Sequence, residues 1–302
     1  MYRKSIAPIL LISVALCLLP ASASAESVYV SDGGRLGSVD LATGSFRQIG
    51  PDFPDVSQGL GYAPSGSLLT MGFTGNLNSI NPSTGVMTTI GPSGLGDCAT
   101  PTSPCPPNSV NTLASFNGQT YATDFLNRLY RVNTSTGAAT LIGTTGMPAL
   151  PSIPLSENPD GTVNIYDEAF FAANGKLYAT FDAGRVDFST GDSTPEISAA
   201  LYQIDPTTAI ATLVGPTDFG IASAAQVSGI TYAFVVSTRE LVSLNLLTGG
   251  TTPLRPYDEA AGFVTGAVAT PEPGTTGIAG LGLVLLAATA IARRRARPDA
   301  KA

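Results

Sequence analysis

The sequence predicts an all-β chain built as a β-propeller of five four-stranded blades, or six if the 144–165 stretch hides further strands. An N-terminal signal peptide and a C-terminal transmembrane helix flank it. Three observations carry this. Five stretches of the 302-residue chain align without gaps. The segments before several of them are themselves short hairpin patterns around Asn-Gly or Ser-Gly. Finally, 33 Gly and 23 Pro, with only 12 % charged residues, favour many short strands and turns over helices.

Residues 1–25 read MYRKSIAPILLISVALCLLPASASA. Arg3 and Lys4 precede an apolar run, and Ala23-Ser24-Ala25 is a small-residue cleavage site, so processing is expected between Ala25 and Glu26. The competing reading is an uncleaved anchor. Cys17 does not make a lipoprotein signal, because Leu16 stands where a small residue is needed.

The repeats are RLGSVDLATGSFRQIG (35–50), NLNSINPSTGVMTTIG (76–91), RLYRVNTSTGAATLIG (128–143), ALYQIDPTTAIATLVG (200–215) and ELVSLNLLTGGTTPLR (240–255). Each reads as strand, tight turn, strand. Their starts lie 41, 52, 72 and 40 residues apart, a period near 40 with insertions. Preceding hairpins stand at 59–73, 111–124 and 168–182. One unit is therefore four antiparallel strands, A to D from the axis outward. Residues 110–143 show it whole: A at 110–116, B at 119–124, C at 128–133 and D at 137–143. The pattern resembles NHL- and YVTN-type propeller repeats, a likeness that implies a fold and no activity.

The first unit opens directly on a B strand, SVYVSD (27–32). An unpaired apolar segment, 260–269, follows the last repeat and is expected to supply the missing A strand, closing the ring and removing two exposed edges.

All A–B and C–D turns are tight, whereas the insertions 92–109, 144–165, 183–198 and 216–222 are B–C or D–A connections. They gather on one face, the expected functional face. That face carries 14 of the 20 acidic residues between 26 and 270. Carboxylates with carbonyl oxygens suit Ca²⁺, and Asp124, Asp182, Asp187 and Asp192 are the candidate ligands. A solvated acidic surface with no cofactor is the plainer reading. Cys98 and Cys105 lie within one Pro-rich loop and are expected to form a disulfide outside the cytoplasm, worth roughly 2–3 kcal/mol.

Residues 271–302 begin Pro271-Glu272-Pro273, continue as an apolar run over 277–292 and end in Arg293, Arg294, Arg295 and Arg297. Sixteen helical residues span about 24 Å, near the bilayer core, and the arginines favour the cytoplasmic side. This arrangement resembles the PEP-CTERM family of exported bacterial proteins. The resemblance implies that exosortase recognises Pro271, Glu272 and Pro273 and removes the helix. The product would then reach the cell surface or an exopolysaccharide matrix. A plain tail anchor that is never cut is the alternative.

The domain plan is thus 1–25, 26–270 and 271–302. The chain has no His, which removes Ser-His-Asp and Cys-His nucleophiles and His-ligated metals. Between 26 and 270 there are 8 basic and 20 acidic residues, a net of −12 that disfavours nucleic acid. The expected function is that of an exported, non-catalytic binding or structural propeller. Its partners would be the Sec machinery, exosortase, the membrane through its helix, and an extracellular polysaccharide or surface protein. The alternative is a Ca-dependent hydrolase or lyase acting on extracellular polysaccharide.

Overall fold

Each repeat folds as its alternation and turn residues predict. The computed structural model describes residues 26–96, 106, 108–148, 160–187, 190 and 193–271. Blade 1 contains β1 (Ser27–Ser31), β2 (Leu36–Asp40) and β3 (Phe46–Ile49). Blade 2 contains β4 (Ser57–Tyr62), β5 (Leu68–Gly72), β6 (Asn76–Ile80) and β7 (Met87–Pro92). Blade 3 contains β8 (Val110–Phe116), β9 (Gln119–Asp124), β10 (Arg128–Val132) and β11 (Ala139–Thr144). Blade 4 contains β12 (Val163–Ala173), β13 (Lys176–Val186), β14 (Ser193–Ile204) and β15 (Ala211–Pro216). Blade 5 contains β16 (Ser223–Val227), β17 (Ile230–Val235), β18 (Glu240–Leu244) and β19 (Thr251–Pro256). The last strand, β20 (Gly266–Ala269), returns to blade 1, whose order is β20-β1-β2-β3. The described residues thus form five four-stranded antiparallel sheets and a propeller of five blades.

The C–D turns form where they do because an Asp or Asn ends each C strand. The side-chain oxygens of Asp40, Asn81, Asn133, Asp205 and Asn245 accept backbone N–H bonds from the turn residues two or three further on. These local bonds compete with continued strand and reverse the chain.

Inner strands are apolar on both sides, because a blade is sandwiched between two others. Phe170 packs into the core between blades 3 and 4, and its neighbour Phe171 into the core between blades 4 and 5. Period-2 alternation here separates two interfaces instead of core from water. Five such cores result, one per blade pair, and the 5–1 core joins Val28 and Val30 to Phe234 and Leu241.

Sheet twist carries the outer strands around the rim, where each D strand meets the next blade's C–D turn. A Cβ on Gly215 in β15 would lie 2.1 Å from the Thr248 carbonyl oxygen in blade 5. Gly50 and Gly91 meet Thr84 and Thr136 in the same way. The repeated Ile-Gly and Thr-Gly pairs are therefore the meeting points of consecutive blades. Gly215→Val is expected to push blades 4 and 5 apart and destabilise the ring by about 1–3 kcal/mol. Gly34→Ala is the control: the nearest atom to its added Cβ is the Asp32 carboxylate at 3.8 Å, an ordinary contact. A melting curve for Gly215→Val no lower than that control would refute this packing role.

Ring closure follows the expected segment but uses less of it. In β20 only Gly266–Ala269 is strand, paired antiparallel with Ser31 through Val28. Residues Glu259–Ala261 form a 3-10 turn, capped by the Asp258 carboxylate accepting from the Ala260 N–H. The compact unit runs from Glu26 to Thr270.

Two expectations about insertions need correction. The stretch 183–198 is not a loop: β13 continues to Val186 and β14 starts at Ser193, with Arg185 paired to Thr194. The end of 144–165 joins β12, which pairs with β13 from Val163 onward, so it adds to blade 4 and not to a sixth blade. The extension forms because its ladder satisfies the backbone, and because Arg185 bridges Glu196 and, at 3.8 Å, Asp160.

Candidate functional site

The antiparallel A and B strands divide the axis into two ends. At one, D–A and B–C connections meet; at the other stand the tight A–B turns. The acidic residues of the first end are mostly engaged in shaping it. Asp32 accepts the Gly34 and Arg35 N–H groups and pairs with the Arg35 guanidinium at 2.5 Å. Asp124 occupies the same place in blade 3: it accepts from the Leu126 and Arg128 N–H groups, the Arg128 guanidinium at 2.5 Å and the Tyr130 hydroxyl at 2.9 Å. Burial and the Asp124 charge push the Tyr130 hydroxyl up to about 12. Asp218 receives both the N–H and the hydroxyl of Thr251, which hold its carboxyl below the ordinary range.

This use of the carboxylates bears on the Ca²⁺ set. Asp124 is fully buried at the end of β9 and turned to Arg128 at the start of β10. Asp182 lies inside β13, and Asp187 follows five residues later, roughly 16 Å along an extended strand. Asp192 lies outside the described residues. Among the described residues no three His, Cys, Asp or Glu side chains are placed to hold a metal ion. Asp124, Asp182 and Asp187 are therefore not assembled as a cation cage.

The structure instead joins Asp124 to a residue that sequence reasoning passed over. Glu168, in the inner strand β12, is only 6 % exposed. Its carboxyl accepts from the Thr123 hydroxyl at 2.7 Å and from the Asn111 amide, both of blade 3. Burial pushes its pKa up to about 8; those hydrogen bonds pull it down, and the Asp124 charge adds to the rise. A signal was present: seven residues before the A–B turn glycine, blade 3 has Asn111 and blade 5 has Ala222, whereas blade 4 places a charged Glu.

At the tight-turn end the inner strands of all five blades enclose a cavity of about 330 Å³. Pro64, Asn117 and Gly118 mark its mouth; Ala114, Ala224, Ala225 and Ala267 leave its space; Tyr62, Phe116 and Phe171 supply ring surface. The Tyr62 hydroxyl donates to the Ala269 carbonyl at 2.9 Å, and its burial raises its pKa far above the usual value. This axial cavity opens at the end of the ring opposite the insertions.

The ends of the ring also emerge here. The Thr270 N–H and hydroxyl donate to the Ser27 carbonyl at 3.2 and 2.8 Å, and Glu26 accepts from Ser228 in a blade 5 A–B turn. Glu26 and Pro271 are exposed. Ala25, Glu272, Pro273, Cys98, Cys105 and the 277–292 span lie outside the described residues. Among the described residues no helix is long and apolar enough to cross a membrane.

No family model and no curated protein matches the chain. Solved structures do. A chain of a nidogen/laminin complex is 9 % identical with a TM-score of 0.49, covering 82 % of this chain and 98 % of its own. Virginiamycin B lyase from Staphylococcus aureus is 12 % identical with a TM-score of 0.35, covering 78 % and 67 %. The PQQ-bound aldose sugar dehydrogenase of Streptomyces coelicolor is 12 % identical with a TM-score of 0.42, covering 80 % and 89 %. Such scores carry no argument about function, and the propeller assignment stands on the five sheets themselves.

Proposed function

We propose that this protein is an exported propeller of the cell surface or extracellular matrix, with a non-catalytic binding or structural role, delivered by an N-terminal signal peptide and sorted through Pro271-Glu272-Pro273. The observation that supports this best is where the ring is sealed. Thr270 is clasped to Ser27, so the ring ends one residue before the triplet and begins one residue after the expected cleavage point. Both processing events then fall immediately outside a closed fold and leave its ladder intact. Both also fall at the tight-turn end of the ring.

The experiment is the intact mass of the protein recovered from the surface or matrix of a host that carries exosortase. The expected species begins at Glu26 and lacks the C-terminal helix. A species that retains Arg293 to Arg297 would reduce the C-terminus to a plain anchor. A species that retains residues 1–25 would make that segment an uncleaved anchor and remove the cleaved signal-peptide reading.

A further inference from the structure

We propose that the axial cavity at the tight-turn end binds a small, uncharged, polyhydroxylated ligand of monosaccharide size. This deepens the binding role put forward above and is independent of the sorting step.

Charge is the first argument. Residues 26–270 carry 20 acidic and 8 basic side chains, yet among the described residues lining the cavity none is charged. A charged ligand would lose its hydration there and find no counter-charge, so the wall selects for neutrality. The backbone is the second argument. The inner strands β20, β4, β8, β12 and β16 each end their sheet, so one edge of each backbone has no ladder partner. At the insertion end two of these strands join directly, with the Gly59 N–H donating to Thr265 at 3.2 Å. In the cavity these edges meet from all five blades, and the hydrogen-bonding side chains Ser115, Asn117 and Gln226 stand among its lining residues. A hydroxyl group both donates and accepts, so a ligand bearing several of them matches such a wall.

Ring surface and rigidity complete the case. Tyr62 and Phe116, both half-buried, are among the lining residues and give the wall apolar ring surface for the C–H face of a pyranose, while Phe171 backs them from the blade 4–5 core. Tyr62 is held by its bond to Ala269. Gln226 is held by two bonds to Asn174, accepting from its N–H at 2.8 Å and donating to its side-chain oxygen at 3.0 Å. A wall fixed in advance loses little entropy on binding. The volume, about 330 Å³, sits at the small end of ligand pockets.

The test uses the full-length chain purified in a detergent that contains no sugar. Glucose, galactose, mannose and N-acetylglucosamine are titrated by saturation-transfer NMR, with glucuronate and galacturonate as charged counterparts. The expected result is saturable binding of at least one neutral sugar and at least about tenfold weaker binding of the uronates. Ala172→Phe, which fills the cavity, and Pro64→Trp, at its exposed mouth, should each abolish the signal while the circular dichroism spectrum stays unchanged. Two filling positions keep the test decisive if one variant fails to fold. Absence of saturation by every neutral sugar overturns the proposal. So does equal binding of a uronate, or wild-type binding in a folded filling variant. Correct processing with no sugar binding would remove this site and leave the sorting reading standing; sugar binding without processing would do the reverse.

Discussion

Removing β20 is expected to convert a closed ring into an aggregating open one. The strand contributes four paired residues, Gly266 to Ala269, to the inner edge of blade 1. At about 1 kcal/mol per ladder bond, and about 2–3 kcal/mol for the apolar side chains it buries, the loss is a large part of the roughly 5–15 kcal/mol that stabilises an ordinary domain. The effect is not confined to one blade. Thr265, just before the strand, donates to the carbonyls of both Ser31 and Ser57 and so ties blade 1 to blade 2. Val264 and Ala267 belong to the core between blades 5 and 1. Without β20 the backbone edge of β1 is unpaired and can template association with another chain. Light scattering and thermal melting of the deletion variant, compared with the wild-type chain, decide the matter. A monomer with the wild-type melting temperature would show that this strand does not close the ring.

Glu168→Gln is expected to stabilise the protein at alkaline pH and leave it nearly unchanged in acid. The folded-state pKa is pushed up to about 8, above the ordinary value of 4.5. The folded chain therefore binds this proton more tightly than the unfolded chain does. The resulting stabilisation is complete below pH 4.5, fades as pH rises and is gone above about 8. Its size is on the order of a few kcal/mol, because each tenfold gain in proton affinity corresponds to about 1.4 kcal/mol. The neighbouring carboxylate, Asp124, stays paired with Arg128 and so adds its charge to the cost of ionising Glu168. Glutamine keeps an oxygen for the Thr123 hydroxyl and carries no charge. The wild-type chain should lose stability between about pH 5 and pH 8.5, and the variant should lose much less. Parallel curves for the two proteins would show that Glu168 does not titrate in this range.

Much of this architecture was legible from short-range pattern. The turn residues, the Thr-Gly spacing and the alternation between 110 and 143 located β8, β9 and β10 within a residue, and β11 within two. The missing first A strand announced itself as an absence in one unit and a surplus after the last. The candidate site was much less legible. Asp124 was singled out as one acid among many on a surface, whereas in the fold it is buried, capped by its own turn and beside Glu168. The extension of β13 and β14 falls in the 183–198 insertion between a B and a C strand, where Gly184, Pro195 and the polar residues between them carry no local strand signal. Pairing with β12, and the bridge between Arg185 and Glu196, override that local preference.

What the sequence alone determined is what contacts within about fifteen residues specify: four strands per unit, the turns between them and the repeat, whereas the choice of five blades over six came from the pairing of β12 with β13. Those depend on bonds that a segment makes with itself, such as Asn133 with the turn that follows it. The tertiary structure alone decided which residues meet across blades. It set Glu168 against Thr123 and Asn111, Gly215 against Thr248, and five uncharged backbone edges around one cavity. These contacts join positions about 30 to 60 residues apart or more, and ring closure joins positions more than 200 apart. No local period encodes such distances; they follow from how many twisted sheets fit around an axis lined by Gly and Ala before backbone meets backbone.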